Sequence, residues 1–196
     1  MLLVLVMIFA LPVTSNAASS KTAVNKAVKS FFTYMKKTDL PKMNRYIYSN
    51  SSKFGTTAIL KQETPNVYKY VKKYNKKISY KVLSTKVKGK KATVKVKVKY
   101  VNADSIFLAF SDVIQLDYYN GVDISAENYV DTGWAKAVKQ AEKSGKLKMQ
   151  TRTFTLPMVK KNGRWQFKEL SLEFKNIAMA DYLEAYADFV EQYNNE

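Results

Sequence analysis

The stretch Ala92-Thr-Val-Lys-Val-Lys-Val-Lys-Tyr100 alternates apolar and polar residues without a break. Period-two alternation is the signature of a β-strand with one dry face and one wet face. Val94, Val96, Val98 and Tyr100 point one way, and Thr93, Lys95, Lys97 and Lys99 point the other. A helix would scatter these lysines around its circumference, so the chain must fold with a sheet whose apolar side is covered and whose cationic side stays in water. Upstream, Ile78, Tyr80 and Val82 alternate in the same way and Gly89-Lys90 supplies a turn, which predicts a hairpin. The adjacent apolar pair Val82-Leu83 breaks the alternation as a β-bulge would, and a bulge bends the sheet.

The charge of the chain is concentrated on this hairpin. The formal net charge is +17, and between Lys69 and Lys99 there are thirteen lysines and no acidic residue. Residues 181–196 carry Asp181, Glu184, Asp188, Glu191 and Glu196 with no basic residue. Only Arg45, Arg152 and Arg164 among the 33 basic residues are arginines. So strong a preference for lysine argues against a site for bidentate phosphate or base recognition, which draws on arginine, and suits diffuse attraction to an anionic surface.

A second hairpin is predicted downstream, where Phe154, Leu156 and Met158 alternate with Thr153, Thr155 and Val159 and Asn162-Gly163 marks the turn. Its return strand carries Trp165 and Phe167, then shifts phase to Leu170, Leu172 and Phe174, which predicts a second bulge. Helical spacing governs the rest. Ala23, Val24, Ala27, Val28, Phe31, Phe32 and Met35 form a stripe from about Ser20 to Lys37. Thr38-Asp39-Leu40-Pro41 starts a short second helix and Thr64-Pro65 a third, in which Val67, Tyr70, Val71 and Tyr74 share a face. Residues 103–147 read as a helical insertion, with Ile106, Phe107, Phe110, Val113 and Ile114 at helix spacing, a stop at Asn120-Gly121, and a second helical stretch from Ser125 to Ser144. Asn176 is placed to cap a final helix over about 176–194.

Residues 2–13, LLVLVMIFALPV, are uniformly apolar, and Ser15-Asn16-Ala17 puts small side chains where a signal peptidase inspects. Residues 1–17 are therefore expected to be a cleaved signal peptide, and 18–196 one secreted domain with no Pro/Gly/Ser-rich linker. Twelve helical residues reach about 18 Å, short of a hydrocarbon core of about 30 Å. The chain has no cysteine and no histidine. Disulfides, zinc-thiolate sites and thiol nucleophiles are excluded, as is any triad of the Ser/His/Asp kind.

Helices followed by two hairpins give an α+β fold, with N-terminal helices packed on the concave face of a bent antiparallel sheet, a helical insertion and a C-terminal helix. Phe31-Phe-Thr-Tyr34, the step Lys37-Thr-Asp39-Leu40, the hairpin Val87-Lys-Gly-Lys-Lys-Ala-Thr-Val94 and the closing Lys161-Asn-Gly-Arg-Trp165-Gln-Phe167 resemble the nuclear transport factor 2-like (cystatin-like) cone fold. More narrowly, they resemble its secreted or lipoprotein members of unknown function in Gram-positive bacteria. The resemblance covers about 20–174 apart from the insertion. It implies a fold more than a function, since this fold hosts isomerases, dehydratases, binding proteins and inert modules. A lipoprotein needs a cysteine at the cleavage site, which this chain lacks, so the resemblance implies a released or electrostatically held protein.

The candidate binding site is the basic face formed by Lys86, Lys88, Lys90, Lys91, Lys95, Lys97 and Lys99. Its expected partner is an anionic cell-wall polymer or membrane surface. Export and the scarcity of aromatics beside these lysines argue against nucleic acid. For catalysis in the cone, Asp39, Asp104 and Asp112 are the nearest carboxylates, with Tyr34, Tyr46, Tyr80 and Tyr100 as hydroxyls. Helix starts and core stripes account for these residues, so no catalytic residue, no cofactor and a non-enzymatic protein are expected. Asp117, Asn120, Asp123, Glu127 and Asp131 form an oxygen-rich run whose spacing does not fit an EF-hand, and no metal is expected there. The final helix, acidic on one side and apolar on the other, is a candidate surface for a protein partner or a homodimer.

Overall fold

The computed structural model describes residues 14–183 together with residues 187 and 191. Its elements run α1 (Thr14–Lys37), α2 (Leu40–Asn44), a 3-10 turn (Asn50–Ser52), α3 (Thr57–Glu63), α4 (Pro65–Asn75), β1 (Ser79–Lys88), β2 (Lys91–Val101), α5 (Asp104–Tyr119), α6 (Tyr129–Lys143), β3 (Met149–Lys161), β4 (Arg164–Phe167) and α7 (Leu172–Ala178). The fold is α+β, with helices before a four-stranded antiparallel sheet in the order β1-β2-β3-β4 and a helix after it. No helix among the described residues is long and apolar enough to cross a membrane.

Alternation in β2 decides the layering. Val94, Val96, Val98 and Tyr100 are buried, and across the β2–β3 ladder they are joined by Phe154, Leu156 and Met158. Upon this apolar face lie Phe31, Phe32 and Met35 of α1, Met43 of α2 and Phe174 of α7. The rings interlock: Phe31 meets Phe167 edge-on at 4.8 Å, Tyr80 stacks on Phe32 at 4.0 Å, and Phe154 meets Phe174 at 5.2 Å. Edge-to-face and offset contacts of this kind stabilise beyond the area they bury.

A second apolar cluster gathers α4, α5 and α6 around Trp134, with Tyr70, Val71, Phe110 and Ile114 among its members. The helical insertion thus builds a core of its own together with α4. Gly133 of α6 permits the closest approach, since a Cβ there would lie 2.8 Å from the Phe110 ring. The two clusters meet at a polar seam in which Asn75 donates to Thr38 Oγ1 (3.2 Å) and to the Ala178 carbonyl (2.8 Å).

Four helices, not three, precede the first strand. The extra one, α3, buries no side chain, so it has no apolar stripe in the sequence, and its start rests on the Thr56 hydroxyl accepting from Ile59 N (3.2 Å). At the start of α4, Thr64 does not cap its helix; its hydroxyl donates to Leu60 O (3.1 Å). Asp131 of α6 caps in its place, its carboxylate accepting from Asn66 N, Val67 N and Asn66 Nδ2, each at 2.9 Å. Helix α1 begins at Thr14, upstream of the Ser20 expected.

The largest departure follows β4. No second bulge and no strand carry Leu170, Leu172 and Phe174; residues 172–178 are α7, capped by the Ser171 hydroxyl, which accepts from Phe174 N (3.2 Å). Leu172, expected to point inward, is 72% exposed, while Phe174, Ile177 and Ala178 are buried at helix spacing. Asn176, expected to open the final helix, is inside α7. The chain turns at Ala180 and Asp181, both at positive φ (53° and 67°). The Asp181 carboxylate holds this turn by accepting from Ala103 N and from the side chains of Gln150 and Asn176. Helix resumes at Tyr182 and Leu183; nine of the 19 residues of the expected 176–194 helix lie outside the described residues, as does the apolar leader 2–13.

Candidate functional site

The basic face is the outer side of the sheet, and a single extra residue completes it. Along β1, Tyr80 and Val82 point inward; uninterrupted alternation would then turn Ser84, Lys86 and Lys88 inward as well. The register instead shifts between Val82, opposite Val96, and Ser84, opposite Lys95. Leu83 is the bulged residue, as the sequence predicts. Beyond it, Thr85 and Val87 face inward, with the Thr85 hydroxyl bonded to Asn25 Oδ1 of α1 at 2.6 Å. Lys86 and Lys88 thereby join Lys81, Lys91, Lys95, Lys97 and Lys99 on the outer side, all exposed.

The rows across the sheet are regular. Ser79, Lys99 and Thr151 form one, Lys81, Lys97 and Thr153 the next, and Ser84, Lys95 and Thr155 the third. Nearer the hairpin turns come Lys86, Thr93 and Pro157, then Lys88, Lys91 and Val159. Both turns, at Gly89-Lys90 and Asn162-Gly163, lie at this end, tied by the bond from Lys160 N to Lys90 O (2.8 Å). Lys161 and Arg164, paired with each other, extend the face around its tip, whereas Lys160 pairs with the buried Trp165 and belongs to the other side of the sheet. Lys161, Arg164 and Lys81 were not among the candidate residues read from the chain. The signal for the tip was the Asn162-Gly163 turn itself, since two stacked hairpins bring their turns to one end.

Two features set this face apart from an ordinary solvated sheet. The four strands contain no Asp or Glu, so every acidic residue among the described ones lies outside the sheet. In addition, Lys81 sits directly opposite Lys97 and Lys88 opposite Lys91, and like charges in cross-strand pairs destabilise a sheet. The ion pairs among the described residues are Lys42–Asp39, Lys73–Glu142, Lys136–Asp117 and Arg152–Glu173. None uses a lysine of β1 or β2. A row of unneutralised ammonium groups raises the local concentration of anions and leaves their full charge for a ligand.

The carboxylates considered for catalysis are dispersed. Asp39 caps α2, accepting from Lys42 N (3.1 Å) and pairing with Lys42 Nζ (3.0 Å). Partial burial opposes its ionisation, but the bonds and charge of Lys42 outweigh that and hold the carboxyl below the usual range. Asp104 accepts from Asn102 Nδ2 (2.8 Å) on the surface, and Asp112 reaches only Gln140 Nε2 (3.4 Å). Tyr34 and Tyr46 contact each other, Tyr80 stacks on Phe32, and Tyr100 is buried on the sheet's inner face.

The oxygen-rich run is dispersed as well. Asp117 is engaged by Lys136 (2.7 Å) and by the Tyr129 hydroxyl (3.0 Å), Asp123 folds onto Ser125, and Asp131 caps α4. No group of three carboxylates able to hold a metal ion forms among the described residues.

Concavities among the described residues include two of similar size. One, of about 340 Å³, is apolar and runs between α3 and α7, lined by Phe54, Ile59, Leu60 and Met179 with Lys53 and Lys175 at its edge. The other, of about 310 Å³, contains Lys73, Tyr74, Lys77, Glu142 and Lys148. Glu142 accepts from Tyr74 (2.6 Å) and Lys73 (2.7 Å). Burial opposes ionisation of Glu142, but these bonds outweigh it and lower its pKa; burial and the same carboxylate raise that of Tyr74. At neutral pH the pair is a fixed carboxylate and a neutral phenol, a structural tie between α4 and α6.

No family model matches the chain, and neither a curated protein nor a solved structure matches it.

Proposed function

We propose that this protein is a secreted, non-catalytic binding module that holds anionic polymer at the bacterial cell surface through the outer face of its sheet. The observation that carries this reading is the segregation of charge: the four strands hold no acidic residue, and β1 and β2 alone present seven outward lysines, with Lys81 and Lys97 in direct opposition. A face that tolerates such repulsion gains from an anion that relieves it. A long helix packed on the inner side of an antiparallel sheet supports the likeness to the nuclear transport factor 2-like cone fold. The apolar leader supports export.

Binding of this kind has a measurable signature. Each phosphate neutralised on a flexible single chain releases condensed counterions, so the logarithm of the affinity falls with the logarithm of salt by about 0.7 per contact. Engagement of all seven lysines gives a slope of about −5, or a loss of about a thousandfold between 50 and 200 mM salt. The purified protein titrated against isolated Gram-positive cell walls across that range is expected to show a slope steeper than about −3. A shallow slope, or no binding at low salt, would mean that the charge is only solvated surface.

A further inference from the structure

We infer that the ligand of this face is a linear phosphodiester chain with a short polyol repeat, lying along β2 with one phosphate at each Lys–Thr row. The inference rests on the polyanion reading above and adds the chemistry of the repeat. The face is periodic in two kinds of group at once. Lys95, Lys97 and Lys99 of β2 stand opposite Thr155, Thr153 and Thr151 of β3, so each row offers an ammonium and a hydroxyl on neighbouring strands, about 4.8 Å apart at the backbone. Successive rows are two residues apart, about 7 Å along the strand.

A phosphodiester has two unbridged oxygens, able to accept from an ammonium and from a hydroxyl together. In a glycerol phosphate chain six bonds of about 1.5 Å separate successive phosphorus atoms, which places them on the order of 7 Å apart when extended. That repeat matches the row spacing. An extended polyglutamate also repeats its same-side carboxylates about every 7 Å, but its side chains alternate across the backbone, so only every second charge reaches the face, whereas a phosphodiester carries every charge in its main chain. A single-stranded nucleic acid has a similar phosphate repeat, but its bases need aromatic or guanidinium surfaces to stack on. None stands among the Lys–Thr rows, where the outward residues are lysine, serine and threonine and the tyrosine and phenylalanine of the same strands face the core.

The test is a competition at fixed low salt among poly(glycerol phosphate), poly-L-glutamate of equal charge, oligo(dT) of equal charge and phosphatidylglycerol vesicles, with the wild-type protein and a T151V/T153V/T155V variant. The expected result is a preference of at least tenfold for poly(glycerol phosphate) over each competitor. The variant should lose that preference while its salt slope stays unchanged. Equal binding of all four probes, or a preference that survives in the variant, would overturn the phosphodiester register and leave the polyanion reading standing. Tightest binding to oligo(dT) or to vesicles would overturn it in favour of a nucleic-acid or membrane ligand. Failure to bind any of the four would overturn both.

Discussion

Reversing Lys95, Lys97 and Lys99 to Glu together is expected to weaken polyanion binding at 50 mM salt by at least about 100-fold while leaving the fold intact. The three side chains stand on the exposed side of the central strand β2, between β1 and β3, and none makes an ion pair among the described residues. Removing them therefore takes nothing from the core. Glu at position 97 would face Lys81, turning a repulsive cross-strand pair into an attractive one, an effect of about 0.2–1 kcal/mol. Binding and stability should thus move independently: affinity falls steeply, and the thermal midpoint holds or rises slightly. Titration with poly(glycerol phosphate) alongside thermal melts checks both. A parallel loss of binding and folding would show that the lysines serve the sheet rather than a ligand.

The second large effect concerns stability alone. Asp131→Ala is expected to destabilise the protein by about 3 kcal/mol, because it removes charge-assisted bonds to two backbone N–H groups and leaves the buried one, of Val67, without an acceptor. The carboxylate also opposes the positive end of the α4 dipole, so its charge matters as well as its shape. Asp131→Asn should fall between wild type and Ala, since an amide oxygen keeps one acceptor but loses the charge. Thr64→Ala, at the formal cap position, should change stability by less than about 1 kcal/mol, since the half-buried Thr64 hydroxyl makes one bond, to Leu60 O, and none to the first turn of α4. Urea denaturation of the three variants checks this order. An Asp131→Ala variant as stable as wild type would mean that the first turn of α4 does not depend on α6.

Strands were legible in this chain because a half-buried strand writes its burial as strict alternation. Val94 to Tyr100 and Phe154 to Met158 are buried at every second position. The bulge at Leu83 was legible for the same reason, since two adjacent apolar residues in an alternating run need an extra residue to restore phase. The basic face followed from phase alone. What escaped was structure held by side-chain caps or by contacts distant in sequence. Helix α3 buries no side chain fully, Leu60 alone of its apolar residues being half-buried against the core, and so has no stripe to read. Helix α7 was read as a strand because Leu170, Leu172 and Phe174 happen to alternate; Phe174, Ile177 and Ala178 carry the true period, and Ser171 opens the helix. The capping of α4 by Asp131 joins residues 64 and 65 positions apart. No local pattern signals such a bond. The Lys–Thr rows were hidden likewise, because they depend on the β2–β3 register, which pairs residues from either side of the α5–α6 insertion.

The most direct test is a lysine footprint. The protein is acetylated with limiting reagent, free and saturated with poly(glycerol phosphate), and each lysine is quantified by peptide mass spectrometry. Polyanion binding through the sheet predicts protection of Lys81, Lys95, Lys97 and Lys99, with Lys26 and Lys29 of α1 and Lys139 of α6 modified at unchanged rates. Uniform protection over all exposed lysines, or protection confined to the helices, would contradict it.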